Sequence, residues 1–312
     1  ARVISLNLSL MLNHIRQNKN LCLLQLVVLI FGFTAILGKL ITVNSQVLVW
    51  YRMLFASISL IIYALIRRKS LKMPRKGLIQ SLVTGAIVAA HWIFFFEAIK
   101  QSNISVTLAA LSSASIFTAV LEPIFFKRTI FFYEIALGLL VISGLYFIYQ
   151  INVANHLGII LGLISAFLAS LFTVINGKLI QNYDSTRISV YELLGGVISI
   201  SIYLFLFKTY SLIHFGINVQ DIFYVLVLAV ICTAFAFVAS VEVMKELSPF
   251  TVSLSVNMEP VYGIVLAFLI FGDEEKMSLG FYLGAVLILL GIFLNVWIKQ
   301  VKKKKEKLIS NE

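Results

Sequence analysis

Long apolar segments with very few charges recur along the whole chain and are separated by short polar connections. A membrane-spanning helix needs about 20 mostly apolar residues, whereas the strands of a membrane β-barrel are short and alternate in polarity. The pattern therefore predicts an all-α membrane protein with ten transmembrane helices, numbered here as spans one to ten. They cover residues 21–40, 46–66, 78–99, 104–126, 132–150, 157–180, 188–207, 222–243, 250–271 and 278–298.

The amino-acid composition narrows the possible functions. Of the 312 residues, 60% are hydrophobic and only 12% are charged, and the mean hydropathy is +0.99. Such a chain has too little polar surface to cover a water-soluble globule. No connection between the spans is long enough for a soluble catalytic domain, so any function must reside in the membrane bundle.

The basic residues indicate the orientation of the chain rather than a nucleic-acid partner. The net charge is +11, and twenty of the 25 Lys and Arg residues fall on one side of the membrane if the N-terminus is cytoplasmic. Both termini are therefore expected in the cytoplasm, and Lys302–Lys305 is expected to contact anionic membrane lipid. Because Cys22 and Cys232 lie in apolar segments and no Cys/His cluster exists, no metal or other cofactor is expected.

An internal repeat divides the chain. Phe33–Ile41 in span one recurs as Phe172–Ile180 in span six with seven of nine positions identical, and Glu97 near the end of span three recurs as Glu242 in span eight. Each half contains five spans, which is an odd number, so the second half begins on the opposite side of the membrane from the first. The two repeats are therefore predicted to be inverted. The predicted units are a cytoplasmic tail (1–20), two five-helix repeats (21–150 and 151–298) and a basic cytoplasmic tail (299–312).

Several short motifs carry a family resemblance. They are His91–Lys100, Leu121–Lys127, Gly138 and Gly144 in the first half, and Met258–Val261 and Phe271–Glu274 in the second. With them the whole chain resembles the EamA-type branch of the drug/metabolite transporter superfamily. Two positions depart from the family pattern, because Ser115 stands where the family often has proline and Arg128 where it often has an acid. The resemblance implies a multi-pass plasma-membrane transporter of small solutes, here a bacterial inner-membrane protein, with a central cavity between its halves.

Polar residues in the middle of span nine form the leading candidate site. A charged side chain at the bilayer centre costs about 2.5 kcal/mol or more, so it needs a partner, a cavity or a proton. Asn257 and Glu259 lie beside Pro260, whose missing N–H leaves a carbonyl free to face water, and Tyr262 follows one turn later. We expect Asn257, Glu259 and Tyr262 to bind substrate or a proton. The alternative is a proline kink whose carboxyl group is satisfied by a neighbouring helix.

Two further groups are candidate substrate contacts. His91 and Trp92 lie near the middle of span three, and the corresponding positions of the second half are apolar. A polar pair present in only one half suits a ligand contact better than a packing requirement. Ser112 and Ser115, near the centre of span four, can orient a polar substrate. The alternatives are a structural histidine satisfied by its neighbours and hydroxyls that join helices through weak hydrogen bonds.

Charged residues near the ends of the spans are candidate gates. Arg52 lies inside the outer end of span two, and Glu97 lies near the outer end of span three, so the two are predicted to close the outer path. Glu192 and Glu242, with Lys245, occupy equivalent places at the cytoplasmic side and are predicted to close the inner path. The alternative is that Arg52 extends outward to the interface and that the acids are ordinary interfacial residues.

Two features are interpreted as packing rather than function. Gly158, Gly162, Ala166 and Ser170 form a ladder of small residues in span six, which is expected to let helices approach closely within the bundle. The aromatic run Phe94–Phe96 is expected to face lipid or the membrane interface.

Together these features predict a secondary active transporter rather than an enzyme, because no phosphate loop, nucleophile elbow or catalytic pair is present. The expected substrate is a small organic solute, a metabolite or an amino acid, exported by alternating access and driven by protons or by exchange. An exchanger of sugar phosphates or nucleotide sugars is the alternative within this class, although it would need several basic residues at cavity depth where only Arg52 lies. An ion channel is the alternative of another class, and the oligomeric state is left open.

Overall fold

The computed structural model describes residues 2–127, 156–206, 216–272 and 279–309, with scattered residues between 129 and 147. Within these ranges it describes side chains from Lys19 to Val301, with gaps between 281 and 300. The described chain is helical and contains no strand. The α-helices are α1 (Arg2–Leu40), α2 (Ser45–Ile66), α3 (Arg75–Gln101), α4 (Ile104–Leu111), α5 (Ala114–Phe126), α6 (His156–Leu179), α7 (Ser185–Leu206), α8 (Val219–Ala229), α9 (Ala236–Val243), α10 (Pro249–Val256), α11 (Glu259–Phe271) and α12 (Leu279–Ile309). A π-helical segment, Val230–Phe235, joins α8 to α9.

Eight helical segments are long and apolar enough to cross a membrane, so the chain is a multi-pass membrane protein. Within a few residues they coincide with spans one to four and six to nine, which confirms these predictions. Most of predicted span five, 132–150, lies outside the described residues, and predicted span ten falls on α12. The membrane-crossing segments are Lys19–Leu40, Ser45–Ile66, Arg75–Gln101, Ile104–Phe126, His156–Leu179, Ser185–Leu206, Val219–Val243 and Pro249–Phe271.

Spans four and nine are each broken near the middle, at equivalent places. In both, a helix of 8 residues is followed by a two-residue turn and a helix of 13 residues. Each begins with a side-chain cap, from Asn103 in span four and Ser248 in span nine. At the breaks the backbone forms the tighter hydrogen bonds of a 3₁₀-helix. The N–H groups of Ser113 and Met258 each donate to the carbonyl three residues earlier, at 3.1 and 3.0 Å. The two breaks have the same sequence separation as Glu97 and Glu242.

The two breaks arise from different residues. In span nine Pro260 lacks the N–H that would continue the helix. Span four has Ser115 at the equivalent place, but the hydroxyls of Ser112 and Ser113 each donate to the carbonyl three residues earlier, at 2.6 and 2.7 Å. Such bonds offer the backbone carbonyls an alternative to the regular helical pattern. The departure from the family pattern at Ser115 therefore does not abolish the break.

The helices of the two halves pack against each other in reciprocal pairs. α3 packs on α6 and α7, and the equivalent span of the second half, α8 to α9, packs on α1 and α2. Likewise α4 and α5 pack on α6, while α10 and α11 pack on α1. These pairings are the ones expected if spans one to four are equivalent to spans six to nine.

Small residues allow the closest contacts between helices. A Cβ atom added to Gly85 of α3 would lie 2.0 Å from the carbonyl oxygen of Glu192, and one added to Gly195 of α7 would lie 2.3 Å from that of Leu82. The backbones of α3 and α7 are thus in direct contact, as is typical of membrane helices. The predicted ladder of span six also packs inside the bundle, where the Ser170 hydroxyl donates to a carbonyl of α5 at 2.6 Å.

The prediction that Phe94–Phe96 faces lipid is wrong for two of the three residues. Phe95 is only 3% exposed and Phe96 is fully buried. The reason is the central position of α3, which packs against α1, α2, α6 and α7. In a membrane protein an aromatic side chain suits lipid and protein surroundings equally, so its type does not reveal which of them it contacts.

Candidate functional site

A cavity lies at the centre of the bundle, where α1, α2, α3, α6 and α9 meet the two broken spans. About 100 Å³ is available in it to the centres of water molecules. One ordered water needs about 10–15 Å³ on this measure, so the cavity has room for a small solute. Its polar lining consists of Thr34, Arg52, His91, Ser112, Thr173, Asn176, Ser240, Ser253, Asn257 and Glu259, and its aromatic lining of Phe31, Trp92, Phe95, Phe172 and Phe237.

The helix breaks bring three of the predicted residues to this cavity. Ser112 lies at the break of span four, and Asn257 and Glu259 flank the break of span nine. Glu259 is 5% exposed, and the amide nitrogen of Asn257 is buried without a hydrogen-bond partner in the described part of the chain. A buried polar group without a partner is costly, so these groups are available to a ligand.

Arg52 is held rigidly against the wall of the same cavity. Its Nε donates to the Thr233 hydroxyl at 2.6 Å, and its guanidinium carbon lies 3.8 Å from the centre of a Trp92 ring. Thr233 belongs to the π-helical segment and donates in turn to the carbonyl of Leu228, five residues earlier, at 2.7 Å. One terminal nitrogen of the guanidinium, Nη1, is buried and has no partner among the described residues. The arrangement fixes the side chain by stacking and one hydrogen bond and leaves a donor free.

Arg52 and Glu259 carry opposite charges into this one cavity. Both side chains line the cavity, yet no salt bridge or hydrogen bond joins them in the described part of the chain. Each charge is therefore incompletely neutralised by the protein, and a ligand with complementary charges can satisfy both.

The predicted outer gate pair is not formed in this structure. Arg52 contacts Thr233 and Trp92 instead of Glu97, whose carboxylate accepts hydrogen bonds from Ser45 and Gln101, both at 2.8 Å. The outward-extended alternative does not apply either, because Arg52 is only 1% exposed. The reason is the position of α2, which packs against α3, α7 and the π-helical segment and buries this side chain.

Of the three residues of the predicted inner gate, two are in contact in this structure. Glu242 and Lys245 make an ion pair at 2.6 Å, and both side chains are about two-fifths exposed. Glu192 does not join them, because its side chain is fully buried and accepts a hydrogen bond from the amide nitrogen of Asn176 at 3.3 Å.

His91 is both anchored and exposed to the cavity. Its Nδ1 lies 2.9 Å from the carbonyl oxygen of Ser165 and 2.8 Å from the Ser165 hydroxyl. A carbonyl can only accept, so Nδ1 donates to it and Nε2 of the neutral ring is an acceptor. The ring lies 5.4 Å from that of Phe172 and lines the cavity beside Trp92. His91 is thus held by α6 and also lines the cavity.

Two predicted site residues lie elsewhere. Tyr262 faces α1, where its Cβ is 3.3 Å from the place that a Cβ on Gly32 would occupy. Ser115 is buried, and its hydroxyl donates to the carbonyl of Ser112 at 3.3 Å. Neither residue lines the cavity.

The prediction also omits residues that line the cavity. Thr34 and Thr173 are the equivalent threonines of the duplicated segment Phe33–Ile41, and Asn176 replaces Leu37 in its second copy. The internal repeat could have identified the two threonines, because polar residues at equivalent mid-span positions of two halves are expected to meet where the halves contact each other.

Hydrogen bonds connect the two halves at both ends of the bundle. At one end Asp221, 1% exposed at the start of α8, accepts hydrogen bonds from the backbone N–H and the hydroxyl of Thr42, at 3.0 and 2.6 Å. At the other end Arg187 and Tyr191 of α7 donate to carbonyls of the connection between α2 and α3, both at 2.8 Å. Both sets therefore join the first half of the chain to the second.

Comparison with known proteins gives a consistent result. The model of the EamA-like transporter family matches residues 18–150 and 156–297. An uncharacterized transporter from Clostridium kluyveri is 30% identical over 139 residues, which are 45% of this chain and 43% of that protein. The chain thus aligns with less than half the length of this relative. The uncharacterized transporter YxxF of Bacillus subtilis is 23% identical over 243 residues, 75% of each chain.

The fold is also found in a solved structure. A crystal structure of a protein that is 14% identical to this chain superposes with a TM-score of 0.67. The superposition covers 88% of this chain and 96% of the other. At this level of identity the similarity concerns the fold alone.

Proposed function

Because this chain belongs to the EamA-like transporter family, we propose that it is a secondary active transporter that moves a small organic solute by alternating access. Family members are transporters and not enzymes, so the membrane bundle acts by binding and releasing a solute. The observation that carries the proposal is the central cavity, in which Arg52 and Glu259 are buried without an ion pair between them.

The lining of the cavity favours a solute with one carboxylate and one ammonium group. A guanidinium with a free N–H donor binds a carboxylate through charge-assisted hydrogen bonds, and Glu259 provides the acceptor for an ammonium group. The rings of Phe95, Phe172 and Phe237 surround these charges and suit an apolar substituent. An amino acid or a similar zwitterionic metabolite has this combination of groups.

The charge balance of the cavity disfavours the alternative substrate class. A phosphoryl group carries close to two negative charges at neutral pH. Among the described residues that line the cavity, Arg52 is the one Lys or Arg, and Glu259 would repel a phosphate. A sugar phosphate or nucleotide sugar therefore fits less well than a zwitterion.

The proposed mechanism uses the two halves as inverted repeats. Spans four and nine break at the cavity, and breaks of this kind in transporters line the substrate site and absorb movement. The hydrogen bonds at the two ends of the bundle, around Asp221 and Tyr191, would then form and break in alternation. Glu259 and His91 line the cavity and would exchange protons with water in it.

The proposed location is the inner membrane of a bacterium, with both termini in the cytoplasm. The distribution of Lys and Arg supports this orientation, and the relatives are bacterial proteins. We propose export as the direction of transport.

A thermal-shift screen of the purified protein tests the proposed site. Zwitterionic metabolites should stabilise the wild type, whereas esters or amides that lack the free carboxylate should not. Arg52→Gln and Glu259→Gln should each weaken binding by about 2 kcal/mol or more, because each leaves a buried charge of the ligand unpaired. Glu246→Gln, which changes an exposed acid outside the cavity, is the matched control. Stabilisation that survives both cavity variants would remove these residues from the site.

Counterflow in proteoliposomes tests the transport mechanism. External labelled solute should accumulate transiently against a high internal concentration of the same unlabelled solute, because a carrier exchanges one molecule for another. A channel gives no counterflow. The absence of counterflow for every solute that stabilises the wild type would contradict alternating access.

A further inference from the structure

A second buried polar cluster lies beside the cavity, between α6 and α7. Three oxygen atoms in it are buried without a hydrogen-bond partner in the described part of the chain: Oε1 of Glu192, Oδ1 of Asn176 and Oγ of Ser189. The three side chains are at most 1% exposed. Buried polar atoms in native proteins are nearly always paired, so a concentration of unpaired oxygens points to a missing occupant.

The three side chains converge from two helices. Ser189 and Glu192 are three residues apart on α7, so they share one face of that helix. From α6 the amide nitrogen of Asn176 donates to Oε2 of Glu192 at 3.3 Å. The backbone of Glu192 packs directly on Gly85 of α3, which seals the cluster from that side.

In the described part of the chain, no opposite charge compensates the Glu192 carboxylate. α7 packs against α2, α3 and α9, and Asn176 of α6 forms a hydrogen bond with it. The titratable or charged side chains on these four helices are Tyr51, Arg52 and Tyr63 on α2; Arg75, Lys76, His91, Glu97 and Lys100 on α3; His156 and Lys178 on α6; and Glu242 on α9. Within the described chain none of them forms a hydrogen bond or an ion pair with Glu192. On α7 itself, Arg187 and Tyr191 donate to the connection between α2 and α3.

We propose that Glu192, with Asn176 and Ser189, is a proton-binding site distinct from the solute site, and that it couples proton movement to transport. An uncompensated carboxylate in a dry site costs several kcal/mol, and a bound cation removes this penalty. A proton added to Oε1 gives a neutral acid with a new O–H donor for one of the unpaired oxygens. Its return to water restores the carboxylate, so the step is balanced.

Asn176 supplies the connection between the two sites. It lines the cavity and also donates to Glu192, so a solute that changes the orientation of Asn176 changes the surroundings of the proton site. Glu192 also occupies the place in α7 that Arg52 occupies in α2, because both helices contain 22 residues and begin at Ser45 and Ser185. The coupling role rests on the proposed transport function, whereas proton binding does not.

Infrared difference spectroscopy of the purified protein tests proton binding without any solute. Spectra recorded between acid and alkaline pH should contain the carbonyl band of a protonated carboxylic acid, and Glu192→Gln should remove this component. Glu122→Gln and Glu259→Gln, which neutralise the other two buried glutamates of the described chain, should leave it in place. A spectrum of Glu192→Gln identical to that of the wild type would overturn the proposal.

Two further measurements strengthen this test. If Glu192→Gln does not fold, Asn176→Ala keeps the carboxyl group but removes its hydrogen-bond donor, and it should shift the midpoint of the band; an unmoved midpoint would overturn the proposal. The same titrations in sodium chloride and in choline chloride distinguish the occupant. A band displaced by sodium alone would mean that Na⁺ occupies the site and would overturn the assignment of a proton.

Transport assays test the coupling separately. With a solute found in the screen, Glu192→Gln should lower the ratio of pH-gradient-driven accumulation to counterflow at least tenfold. An unchanged ratio would overturn the coupling role. If no solute shows counterflow in the wild type, the proposed transport function fails, while the infrared titration still decides whether Glu192 binds a proton.

Discussion

Gly85→Ala offers a direct test of the contact between α3 and α7. The added Cβ would lie 2.0 Å from the carbonyl oxygen of Glu192, whereas real Cβ contacts are essentially never shorter than 3.0 Å. The contacted atom belongs to the backbone of another helix and cannot rotate away. The two helices must therefore separate by about 1 Å or deform, in an interior that is packed as densely as an organic crystal.

The expected loss of stability follows from this overlap. Inserting one methyl group into a well-packed core typically costs about 1–3 kcal/mol, and a contact with immobile backbone belongs at the upper end of that range. In Gly196→Ala the added Cβ would lie at a similar distance, 1.9 Å, from the terminal methyl carbon of Met53. This flexible side chain can change rotamer to make room. Gly32→Ala meets Tyr262 at 3.3 Å and needs a shift of only a few tenths of an ångström. Destabilisation should therefore decrease from Gly85 to Gly196 to Gly32.

Labelling of a buried cysteine provides the assay. Cys232 is 3% exposed and Cys22 is exposed, so a Cys22→Ser background leaves one thiol that reacts with a fluorescent dye only after unfolding. The apparent unfolding temperature should fall most in Gly85→Ala. Equal losses in Gly85→Ala and Gly196→Ala would refute the argument that immobile backbone makes the difference, and an unchanged temperature in Gly85→Ala would refute the close packing of α3 on α7.

Three further predictions concern polar contacts. Arg52→Lys keeps the charge but loses the planar guanidinium, so a zwitterionic solute found in the screen should raise the unfolding temperature less than in the wild type. Titration of that solute measures the difference, and an unchanged shift would mean that charge alone suffices. Asp221→Asn should lower the unfolding temperature more than Thr42→Val, because it weakens two hydrogen bonds to a charged acceptor, each worth about 1.5–3 kcal/mol; the reverse order would contradict this. Glu122 accepts from the N–H of Phe250 at 2.7 Å, so Glu122→Leu should destabilise more than Glu122→Gln in the same assay, and equal effects would show that this bond contributes nothing.

The helical architecture could be predicted from the sequence because the bilayer imposes it. Lipid requires about 20 apolar residues per crossing and full internal pairing of the backbone, so hydropathy alone placed eight spans within a few residues of the observed helices. The breaks in spans four and nine were less accessible. Pro260 indicates one of them, whereas the break beside Ser115 depends on serine side chains that compete for backbone carbonyls, and serine in a membrane helix is compatible with a continuous helix as well.

The candidate site was predictable to the extent that burial depth identifies it. Glu259, Asn257, His91 and Ser112 stood out as polar residues in the middle of apolar spans, and all four line the cavity. The inward direction of the Arg52 side chain could not be deduced in this way, because a long side chain near the end of a span can extend outward or inward. Its direction is set by the π-helical segment that presents Thr233, and no sequence pattern identifies that local backbone change.

In the proposed mechanism, Arg52 and Glu192 use one position of the repeated scaffold for two purposes. They occupy equivalent places in α2 and α7, yet Arg52 faces the cavity, whereas Glu192 is sealed beside it. In an inverted repeat that alternates access, the two halves exchange conformations, so each position acquires the surroundings that the other has left. In the proposed mechanism Arg52 would then withdraw from the solute in the state that opens Glu192 to the cavity. Release of the solute and exchange of the proton would thus occur in the same state, and coupling further requires that the proton leave to the opposite side in the other state, because a proton exchanged with one side only is not transported.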